Sequence, residues 1–160
     1  EKSAATLIAT YPHIVVIRTM SKAFAFAGVR LGYLIADPAV IDAMFLVRLP
    51  YHLSALTQAA AEVALDFKDE LLGTVAQLRS DRDLVATQLA ALGLTVIPSS
   101  SNFLLFTGFT MSSAQLWQAM LDRGVLIRDV GLLGYLRVTI GNEAENMKFI
   151  STLSACLGEK

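Results

Sequence analysis

One lysine stands in a segment almost free of charge: Thr19-Met20-Ser21-Lys22-Ala23-Phe24-Ala25-Phe26-Ala27-Gly28-Val29-Arg30. Removing an ammonium group from water is costly, and a guanidinium nearby, such as that of Arg30, disfavours it further. Both effects favour the neutral, nucleophilic amine that Schiff-base chemistry requires. On bare spacing, a surface loop with a solvated lysine and arginine fits as well, because short motifs often match by chance.

A second pair of residues suggests anion binding. The stretch Gly131-Leu132-Leu133-Gly134 can turn the chain between two strand patterns, residues 125–129 and 135–140. If Val130 pairs with Tyr135, counting outward sets Arg128 opposite Arg137 on one face of an antiparallel ribbon. Like charges so placed cost about 0.2–1 kcal/mol unless an anion lies between them. A slipped register with two solvated arginines is the alternative, since glycine-rich turns specify register weakly. His13 and His52 have no cysteine or carboxylate at ligand spacing, so no metal site is expected.

These residues must be held by the elements around them. Residues 3–10 have helical spacing and end before Tyr11-Pro12. The branched run Ile14-Val15-Val16-Ile17 predicts a strand buried on both faces, as in a parallel sheet, and residues 31–36 predict another. The lysine segment joins the two. Asp37-Pro38 predicts a helix start, and Ser54 predicts the cap of an alanine-rich helix. Leu71, Val75, Leu78, Val85, Leu89 and Leu92 define a long amphipathic helix, with Arg82 in the one missing place and Gly93 as its stop. The domain boundary is expected within that helix, dividing the chain into residues 1–80 and 81–160.

Short strands are expected over residues 95–97 and 102–107, then a helix capped by Ser112 or Ser113 and stopped by Gly124. Asn142 and Glu145 have the spacing of a capping box for a last helix, with Met147, Ile150, Leu153 and Leu157 facing inward. This second half reads as α+β.

Hydrophobic residues make up 54% of the chain and charged residues 17%, so part of the surface is expected to be covered by another chain or segment. A net charge of −1 from 13 basic and 14 acidic residues, well interspersed, argues against nucleic acid or a polybasic membrane surface. No apolar run is long enough to span a bilayer, so a soluble protein is expected. The single cysteine, Cys156, excludes an intrachain disulfide and fits a reducing cytoplasm. Because the sequence begins at Glu1, it is expected to be the C-terminal portion of a longer, two-domain chain.

The lysine segment, Ser-Lys followed by a small and aromatic run and then Ala-Gly-x-Arg-x-Gly-Tyr, resembles the lysine motif of fold-type I pyridoxal-phosphate aminotransferases, in the histidinol-phosphate aminotransferase branch. Pro50-Tyr51 with the later Leu-Thr-Gln-Ala-Ala-Ala, Gly-Val-Leu-Ile-Arg-Asp and Leu-Arg-Val-Thr-Ile-Gly are similar to further stretches of that branch. The resemblance implies an α/β fold: the end of a large cofactor domain with covering helices, then a small α+β domain. It implies that Lys22 carries the cofactor covalently and that Ser21 and Arg30, with help from Thr19, hold the cofactor phosphate. A guanidinium fork and a hydroxyl donor suit that anion. It further implies that Arg137 binds the α-carboxylate of the amino-acid substrate, that Arg128 helps bind the distal anion, and that Asn102 belongs to the site. By bare pattern, Asn102 is equally an amide ending a turn.

The implied reaction is transamination between histidinol phosphate and glutamate in histidine biosynthesis, by a cytoplasmic homodimer in which the alanine-rich helix after Ser54 lies near the dimer interface. The family's aspartate for the pyridine nitrogen precedes the lysine segment and has no counterpart here, so the chain by itself is expected to be inactive. An aromatic-amino-acid aminotransferase or phosphate-substrate decarboxylase of the same fold is the nearest alternative, and a non-catalytic dimerising domain is the alternative of another kind.

Overall fold

Residues 3–158 are described by a computed structural model in which the chain divides into two compact units, residues 1–74 and 75–160. In the first unit, the Ser3 hydroxyl accepts from the Ala5 N–H at 3.2 Å and caps a single 3-10 turn, Ala4–Leu7. Helical spacing predicts a longer element, but Thr10 and Tyr11 both donate to the Leu7 carbonyl and close the turn before Pro12.

Strand β1 (Val16–Thr19) pairs antiparallel with β2 (Gly32–Ile35), Val16 facing Ile35 and Thr19 facing Gly32. This corrects the expectation of a parallel, doubly covered strand. No other strand among the described residues joins the pair, and Ile17 is 79% exposed. A branched run records what a strand can bury; its direction depends on the neighbour it finds.

The predicted caps form. Asp37 accepts from the Ala39 N–H at 2.9 Å, and Pro38 opens α1 (Pro38–Val47), where its missing N–H costs nothing. Ser54 accepts from the Thr57 N–H at 3.0 Å and starts α2 (Ala55–Asp66). Apolar cover is sparse here: only Met20 and Ala64 are buried among the described residues of this unit.

Helix α3 (Lys68–Ala91) contains the division between the units. At its end Gly93 adopts φ +81°, and the Leu94 N–H reaches back to the Leu89 carbonyl at 3.2 Å, the left-handed stop that glycine permits.

The second unit holds an antiparallel sheet in the order β3 (Thr95–Ile97), β4 (Phe103–Thr107), β6 (Leu136–Thr139), β5 (Arg128–Asp129). Leu104, Phe106, Leu136 and Val138 alternate onto one face and are buried. They pack with Val85 and Leu89 of α3, Leu116 and Met120 of α4 (Ser113–Asp122), and Phe149, Leu153 and Cys156 of α5 (Glu143–Gly158). Phe106 meets Phe109 and Phe149 edge to face, both with ring centroids 6.1 Å away.

Ser112, rather than Ser113, caps α4 in a capping box with Gln115. The predicted box of α5 also forms: the Glu145 carboxylate accepts from the Asn142 N–H at 2.8 Å, and the Asn142 side chain accepts from the Glu145 N–H at 3.0 Å. Its buried face is rotated from the expected one, however. Met147 is 63% exposed, and Phe149 takes the inward place because it lies on the same stripe as Leu153 and Cys156. The strand predicted over residues 125–129 contracts to Arg128–Asp129.

Candidate functional site

Beyond β1, buried Met20 anchors the lysine segment: its N–H donates to the Leu31 carbonyl at 3.1 Å, and its carbonyl accepts from the Phe26 N–H at 3.2 Å. A turn from the Lys22 carbonyl to the Ala25 N–H, 3.0 Å, presents the lysine side chain outward. Lys22 is exposed and has no side-chain hydrogen bond or ion pair among the described residues. The desolvation expected around it is therefore not supplied by this chain.

The hydroxyls of Thr19 and Ser21 meet. Thr19 Oγ1 donates to Ser21 Oγ at 2.8 Å, and the Ser21 N–H donates back to Thr19 Oγ1 at 3.1 Å. This exchange fixes the Ser21 oxygen and leaves its own O–H free to donate outward. Arg30 uses one guanidinium N–H on the Ala27 carbonyl, 3.0 Å, leaving the rest of its fork for another acceptor. No hydrogen bond or ion pair joins Arg30 to Ser21 or to Lys22 among the described residues.

Two non-glycine residues of this loop hold left-handed backbone, Ala25 at φ 54° and Arg30 at φ 58°. Such conformations cost of order 1–3 kcal/mol each and cluster at ligand sites. Gly32 holds the loop's far end. A Cβ there would lie 2.7 Å from the Arg18 carbonyl oxygen, a backbone atom of the paired strand. Gly32→Ala should therefore force β1 and β2 apart and destabilise the full-length protein by about 1–3 kcal/mol, read by thermal unfolding.

The second set of predicted residues comes together in the other unit. Arg128 lies directly opposite Arg137 in the β5–β6 ladder, the register obtained by counting from the turn. Between them opens a cleft of about 490 Å³ lined also by Trp117, Leu126, Ile127, Asp129 and Thr139. The Arg137 guanidinium lies 4.7 Å from the Phe103 ring centroid, a cation–π contact. Its Nε is buried and has no hydrogen-bond partner among the described residues. A buried donor without an acceptor costs about 1–3 kcal/mol. Two facing guanidinium groups, one stacked on an aromatic ring and incompletely satisfied, make a receptor for carboxylate or phosphate.

Asn102 is not among the residues lining that cleft. Its carbonyl accepts from the Ile140 N–H at 3.0 Å, and its side chain accepts from Ser101 Oγ at 3.4 Å, so it ends the turn before β4. Trp117 and Phe103 escaped the sequence reading. A lone tryptophan beside core leucine and methionine on α4 was the only available signal for the first; the second follows only from the β4–β6 register, which sets Phe103 opposite Thr139 and Leu105 opposite Arg137. No group of three or more His, Cys, Asp or Glu residues among the described ones could hold a metal ion, and no helix is long and apolar enough to cross a membrane.

The chain belongs to the aminotransferase class I and II family, whose model matches residues 1–153. It is 61% identical over 151 residues to the histidinol-phosphate aminotransferase of Nocardia farcinica (strain IFM 10152), covering 94% of this chain and 39% of that protein. It is 59% identical over 157 residues to the histidinol-phosphate aminotransferase of Corynebacterium efficiens (strain DSM 44549 / YS-314 / AJ 12310 / JCM 11189 / NBRC 100395), covering 98% and 42% respectively. Among solved structures, the histidinol-phosphate aminotransferase from Clostridium acetobutylicum superimposes with a TM-score of 0.83 at 25% identity, covering 96% of this chain and 48% of that chain. The chain spans about two fifths of the length of these curated relatives.

Proposed function

We propose that the chain is part of a pyridoxal-phosphate-dependent aminotransferase that exchanges an amino group between histidinol phosphate and 2-oxoglutarate, in histidine biosynthesis. The observation that carries this reading is the in-register Arg128 and Arg137 pair with a buried, unsatisfied Arg137 Nε. A transaminase must accept two substrates in one site, and both the side-chain carboxylate of glutamate and the phosphate ester of histidinol phosphate suit a guanidinium at the far end. The names of the relatives at about 60% identity support the same choice.

The lysine loop fits the cofactor. Its phosphate needs donors and no further negative charge, and the loop offers the free Ser21 O–H, the unused part of the Arg30 fork and, behind them, Thr19, with no carboxylate in the segment. A histidinol-phosphate aminotransferase from Sinorhizobium meliloti, 28% identical with a TM-score of 0.76, was solved in complex with pyridoxal-5'-phosphate. When bound, the cofactor supplies the electron sink for the substrate's α-carbon. Lys22 would hold it covalently, and its amine would carry the α-proton as general base and acid. Arg137 binds the substrate α-carboxylate and Arg128 the distal anion. We infer a cytoplasmic homodimer, consistent with the sparse apolar cover of the first unit, and a large-domain portion and small domain meeting within α3.

The test is a steady-state assay of the full-length enzyme with 2-oxoglutarate as acceptor and histidinol phosphate or phenylalanine as donor. Histidinol phosphate should give the higher kcat/KM by at least about tenfold. A preference for phenylalanine would indicate an aromatic-amino-acid aminotransferase, and release of carbon dioxide from a phosphorylated amino acid would indicate a decarboxylase.

A further inference from the structure

Arg128 is held less firmly by the sheet than its role requires. Its strand has two residues, lies at the sheet edge, and is preceded by residues 124–127, which are outside any strand. The peptide entering it is held from elsewhere: the indole Nε1–H of Trp117 donates to the Ile127 carbonyl at 2.9 Å. That indole is rigidly mounted. Helix α4 is fixed at its start by the Ser112 and Gln115 box, and the fully buried Leu116 and Met120 seat it on the core. On the other side of Arg128, Asp129 accepts from the Gly131 N–H at 2.8 Å and sets the turn. The Trp117 ring also lines the cleft beside both arginines.

We propose that Trp117 is a positioning residue that sets selectivity for substrates with a second anion: its indole N–H fixes the Ile127 peptide and thereby holds the Arg128 guanidinium opposite Arg137. This rests on the proposed role of Arg128 in binding the distal anion. Without the indole bond, Arg137 keeps its place on β6 through its pairing with Leu105 of β4 and its contact with the Phe103 ring, so recognition of the α-carboxylate persists. What loosens is the residue on the short edge strand. The effect therefore falls on doubly anionic substrates and spares those with one carboxylate.

The experiment uses the full-length holoenzyme with Trp117→Phe, which keeps an aromatic ring and removes the N–H. A second variant carries benzothienylalanine at position 117, which has the indole shape with sulfur in place of N–H. KM is measured for 2-oxoglutarate and for pyruvate as acceptors, together with kcat and the melting temperature. Both variants should raise KM for 2-oxoglutarate about tenfold, the scale of one lost hydrogen bond at a binding group. They should raise KM for pyruvate far less, so that the selectivity ratio falls. An unchanged ratio in a wild-type-like fold overturns the proposal. Equal losses with both acceptors and a lowered melting temperature also overturn it, because that pattern marks a merely structural residue. A wild-type enzyme with no preference for 2-oxoglutarate over pyruvate removes the distal-anion reading of Arg128, and this proposal with it.

Discussion

Lys22→Ala in the full-length protein should abolish the proposed transamination, by at least about 10⁴-fold in kcat, and should abolish the visible absorption expected of a cofactor joined to the lysine. The physical case is that one side chain has two duties. In the proposed reading it would anchor the cofactor covalently, and it is the only amine in the segment that could carry a proton to and from the substrate's α-carbon. No serine or cysteine hydroxyl or thiol in this chain can take over both. The same substitution should leave the fold intact. The Lys22 side chain is exposed and makes no side-chain hydrogen bond or ion pair among the described residues, while the turn it sits in is closed by its backbone carbonyl. An unchanged melting temperature of the apoprotein with lost turnover is the expected pair of results; turnover that survives would falsify the assignment.

Replacing Arg137 gives the second large expected effect, again without loss of stability. Arg137→Met should lower kcat/KM for every amino-acid substrate by about 2–5 kcal/mol, the range for truncating one member of a hydrogen-bonded charge pair. Arg137→Lys should recover little, because an ammonium is a point charge and cannot match a carboxylate with two parallel donors. The fold should not suffer. Arg137 faces away from the cluster built on Leu136 and Val138, and its Nε is a buried donor without an acceptor. Methionine removes that unsatisfied group and can still cover the Phe103 ring, so stability should hold or rise by about 1 kcal/mol. Chemical denaturation of the wild type and the variant measures this. A large loss of stability would mean that the arginine is structural.

Features that depend on near neighbours in sequence could be read without a structure. The caps at Asp37, Ser54 and Asn142 with Glu145 form because each partner lies within three residues along the chain. The Gly93 stop is equally local, set by one residue's freedom to adopt positive φ. Even Arg128 opposite Arg137 followed from counting across a four-residue turn, since a ladder propagates register in steps of one.

Burial and side-chain company were a different matter. The branched run 14–17 promised a covered strand, yet Ile17 is among the most exposed residues of the first unit, because cover is supplied by other segments and not by the strand itself. Lys22 is exposed for the same reason, since the cover that would desolvate it is not supplied by this chain. Met147 has the right spacing for a buried position and is nonetheless exposed, since the packing of Phe149, Leu153 and Cys156 against the sheet sets the rotation of α5.

The sequence by itself determined the identities of the candidate groups, Lys22 with Ser21 and Arg30, and Arg128 with Arg137. Reactivity begins with which functional groups a chain carries and how closely they follow one another. Only the tertiary structure decided that Asn102 ends a turn outside the arginine cleft, that Phe103 stacks on Arg137, and that Trp117 holds the peptide leading into Arg128. The last two contacts join residues 34 and 10 positions apart. They depend on how a sheet edge and a helix are brought together, and no local pattern encodes that.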